Sequence, residues 1–378
     1  MLPVQINFGH FSAISECGSG KNSRRKGSRM KVALYKGVRN VVLEDRPMLT
    51  AGPGEVIVKV EYVGICGTDV HSYMHEGIIS PPTVFGHETV GTVYQLGAGV
   101  TSCMVGDRVA VGPPGNCGEC HNCLQGRASI CANGFLRTTG ISPMTDGGYA
   151  EYLLVRDPKK MLLPIPKNVR FEEAVLFDVL GTSFHGIRRS NFKLGDSAVV
   201  IGTGPIGISA IMLLKLGGAG KIIVATLGEE KRKLGLQYGA DASFDVTKEG
   251  AGLADKVRAL TDGKGADITF DCAGGSAAVN TAIDVTRSGG QILLIGVDGR
   301  PTSFVSARVV PHEIELTTSF VYDAAEIGMI FDFLDTGKLP LARTMVTDII
   351  GMDDVVEKGL ERLSKENDQT KILLAPNR

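Results

Sequence analysis

Between Lys31 and about Ala150 apolar positions come in short runs, as in Val56-Ile57-Val58-Lys59-Val60, Thr89-Val90-Gly91-Thr92-Val93 and Asp107-Arg108-Val109-Ala110-Val111, separated by Gly- and Pro-containing turns. Short runs of β-branched residues bounded by turn residues predict strands, so this stretch reads as an irregular β domain. From about Gly181 to Phe320 the texture changes to strand, glycine turn and helix, repeated. Strands are predicted over 197–201, 221–225, 267–270 and 291–295, with helices over 206–216, 229–238 and 277–285 between them. Apolar strands alternating with helices imply an α/β unit with a doubly wound parallel sheet. Beyond Ser319 a helix is predicted over 324–335 and a strand over 371–374, and this stretch need not belong to the doubly wound unit.

A chain of 378 residues, 43% of them hydrophobic, is long enough for two cores. The net charge of −1 supplies no overall field to draw in nucleic acid or an anionic membrane, so neither is expected as a partner. No apolar run reaches the roughly 20 residues of a membrane-crossing helix. Many of the 49 glycines directly follow apolar runs, as in Val199-Val200-Ile201-Gly202 and Leu293-Leu294-Ile295-Gly296-Val297, which predicts strands ending at tight, ligand-facing turns.

Residues 1–29 differ from the rest: Lys21, Arg24, Arg25, Lys26 and Arg29 oppose only Glu16, among Ser and Gly. The composition fits a disordered leader or an early start ahead of Met30. An organellar targeting segment is the alternative, but no convincing amphipathic helix accompanies it.

Gly202-Thr203-Gly204-Pro205-Ile206-Gly207 is a G-x-G-x-x-G set between a predicted strand and a predicted helix. Such glycines permit a tight turn, close approach of the backbone to a pyrophosphate, and close helix–strand packing. The exposed amides and positive helix end then hold the phosphates. The sequence context favours dinucleotide binding over a purely structural turn. Val297, at the end of a later strand, is placed on the same ligand-facing edge.

Four of the eight cysteines, Cys117, Cys120, Cys123 and Cys131, have C-x2-C-x2-C-x7-C spacing. In a long α/β chain such a cluster suits a metal better than a disulfide framework, and it points to a reducing cytoplasm. Four thiolates closing on one ion describe a structural zinc site, with an iron–sulfur cluster as the alternative. Cys66, in Gly64-Ile65-Cys66-Gly67-Thr68-Asp69-Val70-His71, and His87 and Glu88, in Gly86-His87-Glu88, supply a second candidate set. Singly, Cys66 would be a buried apolar cysteine and His87 a satisfied core histidine; together they suit a catalytic zinc that keeps one position open.

In this order and at these distances, Gly64–His71, Gly86–Glu88, the cysteine loop and Gly202–Gly207 resemble the zinc-containing medium-chain alcohol dehydrogenases, with wording similar to threonine and polyol dehydrogenases. The resemblance implies a GroES-like catalytic domain over 30–180, a Rossmann domain over 181–320 and a return to the catalytic domain over 321–378. It implies that Cys66 and His87 bind the catalytic zinc, with Glu88 as an acidic neighbour able to approach it. Asp69 would orient the ligand histidine, Thr68 would take the substrate proton and His71 would relay it to solvent. Asp178 falls where many relatives have cysteine or glutamate, so either Asp178 or Glu88 is the remaining ligand. Thr182 and His185 follow on the segment expected to enter the cofactor cleft, and Thr182 matches a nicotinamide-packing position.

The implied activity moves a hydride between a small secondary alcohol, polyol, sugar or hydroxy-amino acid and NAD or NADP. A homodimer or homotetramer is expected. The rivals are a zinc-independent quinone or enoyl reductase of the same architecture and a non-enzymatic zinc-binding protein. For cofactor choice, the position usually held by an acid that binds the ribose 2′-hydroxyl is Thr226. Lys231 and Arg232 follow on the next helix, although Lys231 also matches a ribose-contacting lysine of NAD-using relatives. NADP is therefore expected to be accepted, with a small preference over NAD.

Overall fold

The structure, a computed structural model, describes residues 29–112, 115–365 and 369–378. The leader therefore lies outside the described residues except Arg29, which begins the first strand. In chain order the first part forms β1 (Arg29–Gly37), β2 (Asn40–Pro47), β3 (Val56–Gly64), β4 (Thr83–Val84), β5 (Glu88–Leu96), β6 (Arg108–Val111), β7 (Tyr152–Val155) and β8 (Leu162–Pro164). One helix matters to the site here, α1 (Gly67–Met74), which starts just after β3.

The second part begins with α2 (Phe177–Arg189). It continues through β9 (Ser197–Ile201), α3 (Pro205–Leu216), β10 (Lys221–Thr226), α4 (Glu229–Gln237) and β11 (Ala242–Asp245). Then come α5 (Leu253–Leu260), β12 (Ala266–Asp271), α6 (Gly275–Val285), β13 (Thr286–Leu294) and β14 (Glu315–Thr318). The chain closes with α7 (Ala324–Asp335), β15 (Val346–Gly351) and β16 (Lys371–Ala375).

β9 to β14 make one parallel sheet in the order β11-β10-β9-β12-β13-β14. Its core strands alternate between two apolar clusters. Val200, Val224 and Phe270 enter one cluster, while Val199, Ile201, Ile223 and Ala225 enter the other. That period-two division is what a sheet covered on both faces requires. β9 and β12 run side by side although they are not consecutive, and ligands of open α/β sheets bind at the carboxyl ends of such switch-point strands.

A second sheet runs β15-β16-β3-β5-β6-β8, with β7 also on β3, and a third runs β2-β1-β4. β16, almost at the chain end, pairs with β3 by Leu373 opposite Gly64. β5 pairs with the other edge of β3, with Glu88 also opposite Gly64. The ends of three strands distant in sequence thereby meet at one point.

The expected doubly wound α/β fold is present. α7 spans the predicted 324–335, started by Asp323 in a reciprocal capping box with Glu326. In the parallel sheet two edge strands were not foreseen: β11 reads Ala-Ser-Phe-Asp and β14 reads Glu-Leu-Thr-Thr, too short and polar for the apolar pattern of buried strands. β13 also begins earlier than expected, at Thr286, because its first half carries Ser288, Gly289 and Gly290 instead of an apolar run.

Candidate active site

At the end of β3 the chain turns through Ile65 into α1, and Cys66 is the residue capping that helix. The Cys66 amide donates to Asp69 Oδ2 at 3.1 Å, so Asp69, one turn into the helix, fixes the backbone of Cys66. Tyr149 Oη donates to the same oxygen at 3.2 Å. The other oxygen, Oδ1, faces His87 Nδ1 at 3.7 Å, beyond hydrogen-bond reach, and neither buried atom has a hydrogen-bond partner. With Nδ1 turned to a carboxylate, Nε2 remains as the ligand nitrogen, the arrangement that orients a metal-binding histidine. Burial raises the Asp69 carboxyl. Burial works against a charged His87, but the Cys66 and Asp69 charges outweigh it and hold the imidazole well above its ordinary range.

His87 follows Gly86, whose φ of +103° makes the turn into β5, and Glu88 is the first residue of that strand. A side chain at residue 64 would collide with Glu88: a Cβ there would lie 1.9 Å from Oε2. Glycine at this position makes room for the carboxylate. Ligand atoms of Cys66, His87 and Glu88 all lie within 4.8 Å of one another. Thiolate, imidazole and carboxylate form a donor set suited to zinc, and the histidine already has its carboxylate behind it.

Glu88 is fully buried and does not face the site alone. Lys371 Nζ, itself buried, donates to Oε1 at 2.8 Å, to Oε2 at 2.7 Å and to the Ile65 carbonyl at 3.3 Å. Asp178, near the start of α2, stands outside the mutual 4.8 Å set. Its Oδ1 accepts a 2.7 Å hydrogen bond from Tyr322 Oη. Burial and the neighbouring charge of Glu88 push the Asp178 carboxyl up to about 6.

Thr68 and His71 are three residues apart on α1 and so share a face. Thr68 Oγ1 lies 3.7 Å from Cys66 Sγ and is half-buried, while His71 is exposed. Thr182 sits one turn after Asp178 on α2 and is half-buried. His185 departs from the expectation of a cleft position. Its Nδ1 is bonded to Glu326 Oε2 on α7 at 2.8 Å, and Arg188 holds the other oxygen of Glu326 at 3.1 Å. The histidine joins two helices.

In the cysteine loop the sulfur separations are 3.9 Å for Cys117–Cys123, 3.9 Å for Cys120–Cys131 and 3.6 Å for Cys117–Cys131. Thiolates at about 2.3 Å from a tetrahedral zinc stand about 3.8 Å apart, whereas a disulfide needs about 2.05 Å. The spacing fits one ion held by four sulfurs. Backbone amides support them: Cys120 N donates to Cys117 Sγ at 3.3 Å, and Cys117 N and Asn133 N to Cys131 Sγ at 3.4 Å. Amides of Cys123 and Ala132 hold the Cys120 thiol down to about 6, while burial pushes the Cys123 thiol up to about 11, so the four sulfurs do not ionise alike.

The glycine turn after β9 divides its tasks as its sequence implies. Gly202 has φ +87°, and a Cβ on Gly207 would lie 1.9 Å from the Gly202 carbonyl, so only glycine lets α3 pack on the strand. A Cβ on Gly204 would meet open space, which leaves the backbone reachable by a ligand. Pro205 occupies the first turn of α3, and half-buried Ile206 follows it. Exposed Val297 follows β13, where Gly296 and Gly274 press the two loops together.

At the end of β10, Thr226 is buried and its hydroxyl lies 3.1 Å from that of Thr203, which also donates to the Lys231 carbonyl at 3.0 Å. Arg232 is taken up in a two-pronged pair with Glu229, at 2.6 and 3.0 Å. An acid stands nearby on the adjacent strand: Asp245 pairs in register with Thr226 and caps Thr247.

With that geometry in place, known families can be compared. The alcohol dehydrogenase GroES-like domain matches residues 52–167, and the zinc-binding dehydrogenase matches residues 205–336. The chain belongs to the zinc-binding alcohol dehydrogenase family. D-xylulose reductase A of Aspergillus niger is 30% identical over 338 residues, covering 87% of this chain and 92% of that one. Sorbitol dehydrogenase of Bacillus subtilis is 29% identical over 355 residues, covering 92% and 98%. A structure described as a zinc-binding dehydrogenase of Sinorhizobium meliloti 1021, bound to NADP, superposes with a TM-score of 0.82 at 29% identity, covering 93% of this chain and 100% of that one. The dehydrogenase is thus an oxidoreductase of the alcohol and polyol type. Among its described residues no helix is long and apolar enough to cross a membrane.

Two side chains that touch the candidate site of this dehydrogenase carry no local sequence signal. Lys371 opens the apolar strand Lys-Ile-Leu-Leu-Ala, and only its cation among buried neighbours hints at a paired acid. Tyr322 lies 144 residues from Asp178, and nothing in its surroundings announces the contact.

Proposed function

We propose that this dehydrogenase oxidises a secondary alcohol, polyol, sugar or hydroxy-amino acid, or reduces the matching carbonyl, with one catalytic zinc and NAD or NADP. The observation that carries this reading is the convergence of Cys66, His87 and Glu88 within 4.8 Å, with Asp69 placed behind His87. When bound there, zinc supplies Lewis acidity that makes the substrate hydroxyl easier to deprotonate, and the nicotinamide is the hydride acceptor. Cys66 and His87 hold the metal. Asp178 is the favoured third ligand, because both oxygens of Glu88 already pair with buried Lys371; Glu88, which lies in the 4.8 Å set, is the alternative ligand.

The proton released from the hydroxyl passes to Thr68, and His71 carries it to solvent. The sum is alcohol plus NAD(P)+ giving carbonyl, NAD(P)H and one proton. Amides at Gly202–Gly207 hold the pyrophosphate, while Thr182 and Val297 pack on the nicotinamide. Cys117, Cys120, Cys123 and Cys131 hold a second, structural zinc with no open position. The described cysteines are all free, which supports a reducing, cytoplasmic location. By likeness to its family the protein works as a homodimer or homotetramer on small molecules, without nucleic acid or membrane.

The test is a panel of alcohols, polyols, sugars and threonine with both nicotinamides, following reduced cofactor by absorbance. Zinc-dependent turnover of at least one hydroxyl class supports the reading. Activity on quinones or enones without zinc would replace it with a zinc-independent reductase.

A further inference from the structure

The two acids at the candidate zinc site are held differently. Lys371 occupies both oxygens of Glu88, whereas Tyr322 occupies only Oδ1 of Asp178. Asp178 therefore keeps Oδ2 for another partner. Given the zinc centre proposed above, on which this step rests, we infer that Tyr322 is a positioning residue for the catalytic metal. Its hydroxyl fixes the Asp178 carboxylate beside His87, where it would help to hold the metal.

The phenol is closely packed. Tyr322 is buried and meets Phe177, the residue before Asp178, edge to face with ring centroids 6.2 Å apart. A Cβ at Gly181 would lie 3.0 Å from its Cδ1, and a Cβ at Gly112 would lie 3.3 Å from its hydroxyl. Glycine at both places lets the ring sit against α2. The preceding residue, Val321, has φ +56°, a left-handed conformation that a β-branched side chain rarely adopts. Such strain persists only where the surroundings impose it, and it gathers at functional sites.

The flanking residues explain what imposes it. Asp323 Oδ1 accepts from the Ser129 amide of the cysteine loop at 3.1 Å, and Phe320 packs on Phe135 just beyond that loop, at 5.8 Å between centroids. The segment 320–323 is pinned to the cysteine loop on both sides of Tyr322, and Tyr322 points the other way to Asp178. The loop with four cysteines thus supports the catalytic set through one hydroxyl.

Tyr322→Phe tests this, because it keeps the ring and its packing and removes only the hydroxyl. Wild type, Tyr322→Phe and Asp178→Asn would be stripped of metal and titrated with zinc against a chromophoric chelator, then loaded with Co(II) for ligand-field spectra. Circular dichroism would confirm that each is folded. The expected result is an unchanged affinity at the cysteine loop, a loss of about tenfold to a hundredfold at the second site, and an altered cobalt spectrum, with Asp178→Asn setting the full loss. Wild-type affinity and spectrum in a folded Tyr322→Phe protein would overturn the role of Tyr322 and leave the zinc reading standing. A wild-type protein that takes metal only at the cysteine loop would overturn both.

Discussion

Lys371 reaches from the first position of β16 to the floor of the reaction site, where its Nζ contacts both carboxylate oxygens of Glu88 at 2.7 and 2.8 Å. Both side chains are buried, and each is the other's compensation. Burial works against the lysine cation, yet Glu88 and Cys66 keep its pKa above the usual value. Removing the cation leaves a buried carboxylate beside the proposed metal position, a change that costs about 3–5 kcal/mol. Lys371→Met should therefore lose stability of that order by denaturant unfolding, and Lys371→Met with Glu88→Gln should recover much of it. Equal losses in the single and double variants would show that packing, not charge, is responsible.

Proton flow gives a second expectation. Thr68 is half-buried beside Cys66 and His71 is exposed three residues on. Thr68→Ala should lower kcat by about a hundredfold or more, the usual worth of a positioned proton acceptor. His71→Ala should lose far less, because water can stand in for the exposed end of the relay. A fully active Thr68→Ala enzyme would remove Thr68 from the mechanism.

For the cofactor, the buried Thr226 offers no carboxylate to a ribose 2′-hydroxyl, and Arg232 is already paired with Glu229. NADP should be accepted with only a small preference over NAD. Thr226→Asp should move the ratio of kcat/KM values toward NAD by about tenfold or more, since an acid there binds the 2′-hydroxyl and repels a 2′-phosphate. Strong NAD selectivity in wild type, or no movement in the variant, would show that discrimination lies elsewhere.

Stability in acid should depend on Asp267, which ties three strands of the parallel sheet. It accepts from Ser197 N at 2.8 Å, Ser197 Oγ at 2.7 Å and Arg287 Nε at 2.7 Å. Burial alone would raise its pKa, but the Arg287 and Ser197 bonds outweigh burial and hold it below the usual carboxylate range. A folded value below the unfolded value of about 3.9 stabilises the fold fully above that pH, and the gain disappears as pH falls through the folded value. Asp267→Asn should be less stable than wild type by about 1 kcal/mol at pH 7, after screening at this partly exposed site, with the gap closing toward pH 3. A gap independent of pH would point to geometry instead of charge.

The parts of the site written as local motifs were legible in the sequence. Gly202, Gly204 and Gly207 declare a turn by spacing, and Cys117 to Cys131 can reach one ion because they lie in one short loop. Lys371 and Tyr322 were invisible for the opposite reason. Their contacts with Glu88 and Asp178 form only after β16 joins β3 and the segment after β14 returns to α2, and no periodicity encodes those meetings. His185 shows the reverse: its place on the helix of Asp178 suggested the cleft, but Glu326 reaches it from α7, and Arg188 of its own helix holds the other oxygen of that acid.

The measurement that bears most directly on the central claim is zinc content with turnover in wild type, Cys66→Ser and Cys120→Ser. Wild type should hold two zinc ions per chain. Cys66→Ser should hold one, stay folded and lose turnover, while Cys120→Ser should chiefly lose thermal stability. A Cys66→Ser protein that turns over alcohol at the wild-type rate, or a fully active wild type with a single zinc or with iron, would contradict the account.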